Sequence, residues 1–383
     1  MKQPIKIDYD LRNQLNDSLH MPLECYQCGS CTANCSLNSI RENKITIRKI
    51  FHQAQIGVKP DKLVWDCASC KFCEIRCPRQ VDIVDTINEL RKHAYRRREI
   101  PQEFEPLLWN ILEDGNPFGE SQSLRFNWAK NLEVSTDLSD KDVLLYIGCA
   151  NSYDPRLQKV VRSLVNILKK GNINFGLLGN LERCSGEAII PTGEEHYLDV
   201  LIQDNVDEFN KYDISKIVTV SPHSFDIFKR LYPEFGLNIE VQHYTQLIQD
   251  LIDKSKIQLF KTEFSQVTYH DPCYLSRYHG IIDEPRNIIS SIPNIDLVEM
   301  KNTKSNSICC GGGGGQIFRD IEQDNRISNL RIKEAHATNS EAILTSCPYC
   351  IQNFEDSIKV NQNSLVINDI IELVAKSMKL EVK

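Results

Sequence analysis

Short apolar runs recur from residue 141 onward, separated by amphipathic stretches, which is the texture of an α/β fold. The runs at Val143–Ile147, Phe175–Leu178, Ile217–Val220, Gln266–Tyr269, Leu297–Met300 and Ala342–Thr345 predict strands. A periodicity near 3.6 predicts helices over Pro155–Lys169, Glu194–Asn210, Gln316–Ala337 and Val366–Met378. Before residue 141 the alternation is missing. Ile45, Ile47, Ile50, Phe51 and Ala54 predict a helix within Ile40–Gln55, stopped by Gly57 and Pro60. Ile83, Val84, Ile87 and Leu90 predict another over Val81–Arg98, whose basic end, Arg91–Arg98, suits a solvated helix C-terminus better than a binding patch. Residues 101–140, with Pro101, Pro106, Pro117 and Gly119, predict a short helix and a connecting arm.

The α/β part repeats itself. Cys149 follows a predicted strand, 34 residues separate it from Cys184-Ser185, and 35 more lead to Ser221-Pro-His-Ser224. Cys273 also follows a strand, 35 residues separate it from Cys309-Cys310, and 36 more lead to Cys347-Pro-Tyr-Cys350. The second copy has cysteine at all five marks; the first has serine at three. The expected division is 1–100, a connecting arm at 101–140, a degenerate repeat at 141–255 and a complete repeat at 256–383.

Composition narrows the chemistry. The 383 residues are 41% hydrophobic and 25% charged, enough for large cores that need no disulfides. A net charge of −7 argues against a nonspecific nucleic-acid binder. The polar start, Met1–His20, and the lack of any run of roughly 18 apolar residues point to a cytoplasmic chain without a membrane span. Thiols stay reduced there, so 15 cysteines imply metal binding or redox chemistry.

Cys25, Cys28, Cys31 and Cys35 have two, two and three residues between them, and Cys67, Cys70, Cys73 and Cys77 repeat those gaps, with Pro78 next. That run wraps a cubane [4Fe-4S] cluster, because four thiolates must reach four irons from one compact loop. In two-cluster proteins the fourth cysteine serves the other cluster. This assigns Cys25, Cys28, Cys31 and Cys77 to one cluster and Cys67, Cys70, Cys73 and Cys35 to the second. Zinc sites use Cys-x-x-Cys pairs with a longer gap between them and fit these evenly stepped cysteines poorly.

Cys273, Cys309, Cys310, Cys347 and Cys350 form a further set. Adjacent cysteines do not share one iron of a simple cubane comfortably, so Cys309-Cys310 suggests an unusual cluster. The run Gly311–Gly315 lets backbone approach closely and offers N–H groups, placing Gly311, Gly312 and Gly313 beside that cluster. Gln316 in the sixth place spoils a dinucleotide loop, and the run lacks the Lys-Ser/Thr of a phosphate loop.

The five-cysteine spacing, the Cys-Cys-Gly-Gly core, Tyr269-His-Asp-Pro-Cys273, Gly115-Asn-Pro-Phe-Gly119 and the eight N-terminal cysteines together resemble the heterodisulfide reductase-related iron-sulfur oxidoreductases. The resemblance spans nearly the whole chain. It implies an α-helical two-cluster ferredoxin-like domain followed by two α/β cysteine-rich (CCG) domains. It also implies a noncubane [4Fe-4S] cluster on Cys273, Cys309, Cys310, Cys347 and Cys350, at which a disulfide is cleaved. The implied substrate is a disulfide or thiol, as with the coenzyme M–coenzyme B heterodisulfide.

The first repeat departs from the family pattern at Ser185, Ser221 and Ser224. Serine hydroxyls ligate iron poorly at neutral pH, so no cluster is expected there, and Cys149 and Cys184 read as remnants of a lost or altered site. His270 and Asp271 either deliver protons or simply hydrogen-bond their loop, and His223 is a weaker candidate still. Two functions remain open. One is an enzyme that reduces a sulfur substrate; the other is an electron-transfer subunit linking a flavin dehydrogenase to the quinone pool. The chain has no flavin or nicotinamide motif, so either function requires a flavoprotein or membrane cytochrome b-type partner, which could hold the chain peripherally at a membrane.

Overall fold

The computed structural model describes residues 7–19, 24–40, 45–59, 62–360 and 365–380. Two four-stranded parallel sheets follow an N-terminal region built of helices and loops. The first sheet comprises β1 (Val143–Tyr146), β2 (Phe175–Gly176), β3 (Lys216–Thr219) and β4 (Glu240–His243); the second comprises β5 (Gln266–Tyr269), β6 (Asp296–Leu297), β7 (Ala342–Thr345) and β8 (Val366–Asp369). Their strand orders, β2-β1-β3-β4 and β6-β5-β7-β8, are the same, so the internal repeat is a repeat of topology. Leu144 pairs with Ile217 at the centre of one sheet and Thr268 with Ile343 at the centre of the other.

Both central strands are buried on both faces, as parallel strands between helix layers must be. One apolar core runs through both sheets. Val160, Leu164 and Leu168 of helix Pro155–Lys170 join Ile371 and Val374 of helix Ile370–Ser377, while Ile248 and Leu251 of helix Tyr244–Asp253 join Ile288 and Ile289 of helix Asp283–Ser290. A separate core gathers Ile47, Ile50, Phe51, Trp65, Ile87 and Leu90 in the N-terminal region, and it includes Phe104 and Ile327 from later in the chain.

The expected helix within Ile40–Gln55 forms as Ile47–Gln55; residues 41–44 lie outside the described residues. The one expected over Val81–Arg98 forms as Ile83–Arg96. Val366–Met378 is not one helix. Val366–Asp369 pairs with β7, and Asp369 then caps Ile370–Ser377 by accepting from Ile371 N while Glu372 reaches back to the Asp369 amide. An apolar run ending in a capping box reads as either element until its pairing partner is known. Gln316–Ala337 is likewise broken into 3-10 turns at Gln316–Phe318 and Gln323–Asn325 before helix Ser328–His336. The break has a cause: Gln316 Nε2 and Arg319 Nη1 donate to the Trp65 carbonyl at 2.7 and 2.8 Å, tying this stretch to the N-terminal region.

Candidate metal centres

The two N-terminal cysteine loops have one backbone shape. Gln27 and Gly29 in the first loop have φ of 57° and 84°, and Ser69 and Lys71 at the matching places in the second have 49° and 57°. Left-handed backbone at three non-glycine residues is costly and persists where the surroundings fix it. The fourth cysteine of each run is extended, Cys35 at φ −65°, ψ 120° and Cys77 at φ −78°, ψ 116°.

The thiols gather across the two runs. Cys25, Cys28, Cys31 and Cys77 line one cavity, with Cys28 exposed. Cys35 lies beside Cys67 and Cys70, and burial with those two neighbours pushes its thiol up to about 12. Cys73 faces Cys67, Cys70 and Cys35. Ser69 N and Val81 N donate to the sulfurs of Cys67 and Cys77 at 3.4 and 3.5 Å. Buried Arg91 holds the carbonyls of Val64 and Cys67, fixing the loop from behind.

The five cysteines of the second repeat are all buried, at the ends of β5 and β7 and in the loop before Gly311. Cys309 contacts Cys273 and Cys310; Cys310 contacts Cys350; Cys350 contacts Cys347. Gly311 N donates to Cys309 Sγ at 3.2 Å and Gly312 N to Cys310 Sγ at 3.5 Å. The remaining glycines serve a different contact. A Cβ at Gly313 would lie 2.6 Å from Ala68 O, and one at Gly314 2.2 Å from Cys67 O. The run is therefore also the seam where the second repeat meets the loop of Cys67–Cys73.

Across that seam, Cys70 contacts Cys309, whose thiol is the largest influence bringing Cys70 down to about 6. Arg277 spans the same seam, donating to Cys70 O, to Ser305 O at 3.2 Å and to Ser307 O at 2.6 Å. Sequence reasoning passed over Arg277, which carries no motif and is brought here by the packing of helix Cys273–Ser276.

His270, Cys310 and Cys350 place their donor atoms within 4.8 Å of one another. Arg331 Nε donates to His270 Nδ1 at 3.0 Å, which puts the ring proton on Nε2. Asp271 is a loop fastener: it accepts from Arg286 at 2.7 and 3.1 Å and from Lys304 N at 2.7 Å. His223, from the first repeat, reaches Cys347 of the second. Its Nδ1 lies 2.7 Å from Glu187 Oε1, and although burial opposes the charge, Glu187 and Cys347 hold the imidazole well above its usual range. The sequence offered His223 only as a weak proton-delivery candidate, because position 223 lies in the copy with serine at three of its five marks.

The donor sets suit iron-sulfur clusters: soft sulfur ligands in convergent groups, ringed by N–H donors and buried cations. Residues 21–81 match the 4Fe-4S dicluster domain, and residues 143–224 and 267–355 each match the cysteine-rich CCG domain. Fold and matches together define an iron-sulfur oxidoreductase. More narrowly, the chain belongs to the heterodisulfide reductase-related family. It is 30% identical over 396 residues to a dihydromethanophenazine:CoB–CoM heterodisulfide reductase subunit of Methanosarcina mazei, covering 94% of each chain. It is 34% identical to a probable iron-sulfur-binding oxidoreductase, FadF, of Bacillus subtilis (86% of this chain, 48% of that protein) and 32% identical to an EtfAB:quinone oxidoreductase of Syntrophomonas wolfei (82% and 46%). The chain thus spans about half the length of those two. A hypothetical protein from Helicobacter pylori shares the fold with a TM-score of 0.56 at 9% identity, over 98% of this chain and 74% of that one.

Proposed function

We propose that the chain is an iron-sulfur oxidoreductase of the heterodisulfide reductase type, acting on a disulfide or related sulfur substrate. Cys25, Cys28, Cys31 and Cys77 would hold one cubane cluster, and Cys67, Cys70, Cys73 and Cys35 the second. Cys273, Cys309, Cys310, Cys347 and Cys350 would hold a noncubane cluster. When bound, these groups supply one-electron chemistry in series, from the exposed end at Cys28 to the buried five-thiol site. The observation that carries this reading is the contact of Cys309 with Cys70, which leaves no gap between the second ferredoxin-like loop and the five-cysteine site. Arg277 places a half-buried cation at that junction, favouring anionic sulfur on either side. Gly311 N and Gly312 N orient the sulfurs of Cys309 and Cys310.

A second reading rests on the relatives. One is named an EtfAB:quinone oxidoreductase, and this chain covers 46% of it. On that reading the chain carries electrons between a flavoprotein and a quinone-linked membrane partner and touches no small substrate. Among the described residues no helix is long and apolar enough to cross a membrane, so quinone chemistry would fall to the partner.

Anaerobically purified protein separates the two. Iron and sulfide are counted, and electron paramagnetic resonance is recorded with and without thiols or heterodisulfide. Three clusters with one thiol-sensitive signal are expected. A third signal indifferent to thiols favours the electron-transfer reading, and only two clusters would refute the five-cysteine assignment.

A further inference from the structure

His270 carries a buried N–H that no group among the described residues accepts. It follows β5 directly, three residues before Cys273, and is 1% exposed. Its main chain is engaged on both sides: the amide donates to Leu344 O at 2.8 Å, and the carbonyl accepts from Thr345 Oγ1 at 3.3 Å. The ring stands edge-on to Phe354, with 4.7 Å between centroids. Arg331 Nε donates to Nδ1 at 3.0 Å, and Arg331, itself fully buried, is fixed by Glu334 Oε2 and Asn302 O, each at 2.6 Å. A guanidinium only donates, so Nδ1 bears the ring's lone pair and Nε2 its N–H. Nε2 is buried and has no hydrogen-bond partner. A buried donor is costly unless an acceptor uses it. The sulfurs of Cys310 and Cys350 are the acceptors at hand, since they and a ring nitrogen of His270 lie within 4.8 Å of one another. The first repeat supplies a comparison. Three residues before Cys149 stands Tyr146, whose hydroxyl is already spent on the Arg183 carbonyl at 2.7 Å. The unspent donor thus occurs in the copy with five cysteines, and the copy with serine at three marks has used its own.

We propose that His270 donates Nε2–H to a sulfur of the five-cysteine centre, and that Arg331 is the positioning residue that keeps the proton on that nitrogen. The inference rests on the noncubane assignment made above and adds to it a donor that is not a ligand. Hydrogen bonds to cluster sulfurs are one of the levers that set reduction potential. An N–H stabilises the reduced, more negative form more than the oxidised one, so it raises the midpoint. A neutral imidazole does this without placing a net charge in the core. No proton is transferred, and the argument turns on which nitrogen bears the hydrogen, fixed by a donor-only neighbour on the other one.

The test uses the cluster-loaded full chain, anaerobic, grown with histidine carrying nitrogen-15 at Nε2. Pulsed paramagnetic resonance of the third signal should show a weak nitrogen-15 coupling that survives His223→Gln and disappears in His270→Gln. Arg331→Met leaves Nδ1 able to take the proton, and the coupling should fall while the iron count holds. In a redox titration, His270→Leu should lower the third midpoint by about 60 mV, a tenfold change in the equilibrium of a one-electron couple, with both cubane midpoints unchanged. His270→Gln keeps an N–H donor and should recover most of that shift. A wild-type third signal without nitrogen coupling, or a midpoint indifferent to His270→Leu, would overturn this inference alone and leave the five-cysteine assignment standing. A coupling as strong as that of a bonded nitrogen would make His270 a ligand and overturn it too. A wild type without a third signal overturns both. The couplings of the wild type and of His223→Gln decide the matter even where a His270 variant fails to fold.

Discussion

Cys310 meets Cys309, Cys350 and His270 at once and receives the Gly312 amide, so it sits at the middle of the five-thiol group. Replacing it with serine removes a soft ligand and leaves a hydroxyl that ligates iron poorly. Cys310→Ser should therefore abolish the third paramagnetic signal while both cubane signals persist, with the iron count falling accordingly. Loss of a cubane signal as well would show that the five-thiol group and the Cys67–Cys73 loop share a cluster. At this scale much of the site was legible, because cysteine spacing is set by covalent reach and survives any fold. The cations were not legible, since Arg277 and Arg91 act through side chains that only tertiary packing brings to the loops, and His223 was legible only as a weak candidate without its partner Cys347.

Among elements, the glycine run and the cap of the last helix carry the sharpest consequences. Gly314 has φ +60°, and a Cβ there would lie 2.2 Å from the Cys67 carbonyl. Gly314→Ala combines a left-handed penalty with overpacking against backbone, roughly 2–5 kcal/mol. Gly280→Ala is the control, since φ there is +68° with nothing within 4 Å, and only about 1 kcal/mol is expected. Thermal unfolding of the two variants measures the difference. Asp369 caps helix Ile370–Ser377 and accepts from Tyr244 Oη at 2.6 Å; burial pushes its carboxyl up to about 7. A pKa raised above the unfolded value means that the stabilisation is full below about pH 4 and is lost as pH rises through 7. Asp369→Asn should flatten that stretch of the stability profile, measured as denaturant midpoints at pH 5 and pH 8. The same element shows where sequence reading stopped. Both β4 and β8 escaped it, since each is a four-residue edge strand whose last residue caps the next helix; Val366–Asp369 reads as part of that helix, and Glu240–His243 holds a single apolar residue. The central strands β5 and β7 were found to the residue because their buried runs are bounded on both sides.

For the whole molecule, the decisive feature is that the N-terminal region and the second repeat share more than the apolar packing of Ile327 in the N-terminal core. They meet through backbone at Gly313 and Gly314, through the Cys70–Cys309 contact, and through Arg277 and Tyr278, whose hydroxyl donates to Ser69 O at 2.6 Å. Such a junction makes the two halves one electrostatic unit. Arg277 is half-buried and its charge is felt by Cys70, Cys273 and Cys309 together. A cation between two anionic centres favours the reduced, more negative form of each. Arg277→Gln should therefore lower the midpoint potentials of the second cubane and the five-cysteine centre together. The shift should be on the order of 60 mV for each 1.4 kcal/mol of lost charge stabilisation in a one-electron couple. Arg277 acts most on Cys70, Cys273 and Cys309, so the centre at Cys25, Cys28, Cys31 and Cys77 should shift least. A redox titration followed by paramagnetic resonance resolves all three. If only one midpoint moves, the two centres are not coupled through Arg277, and the continuity between Cys70 and Cys309 loses its functional meaning.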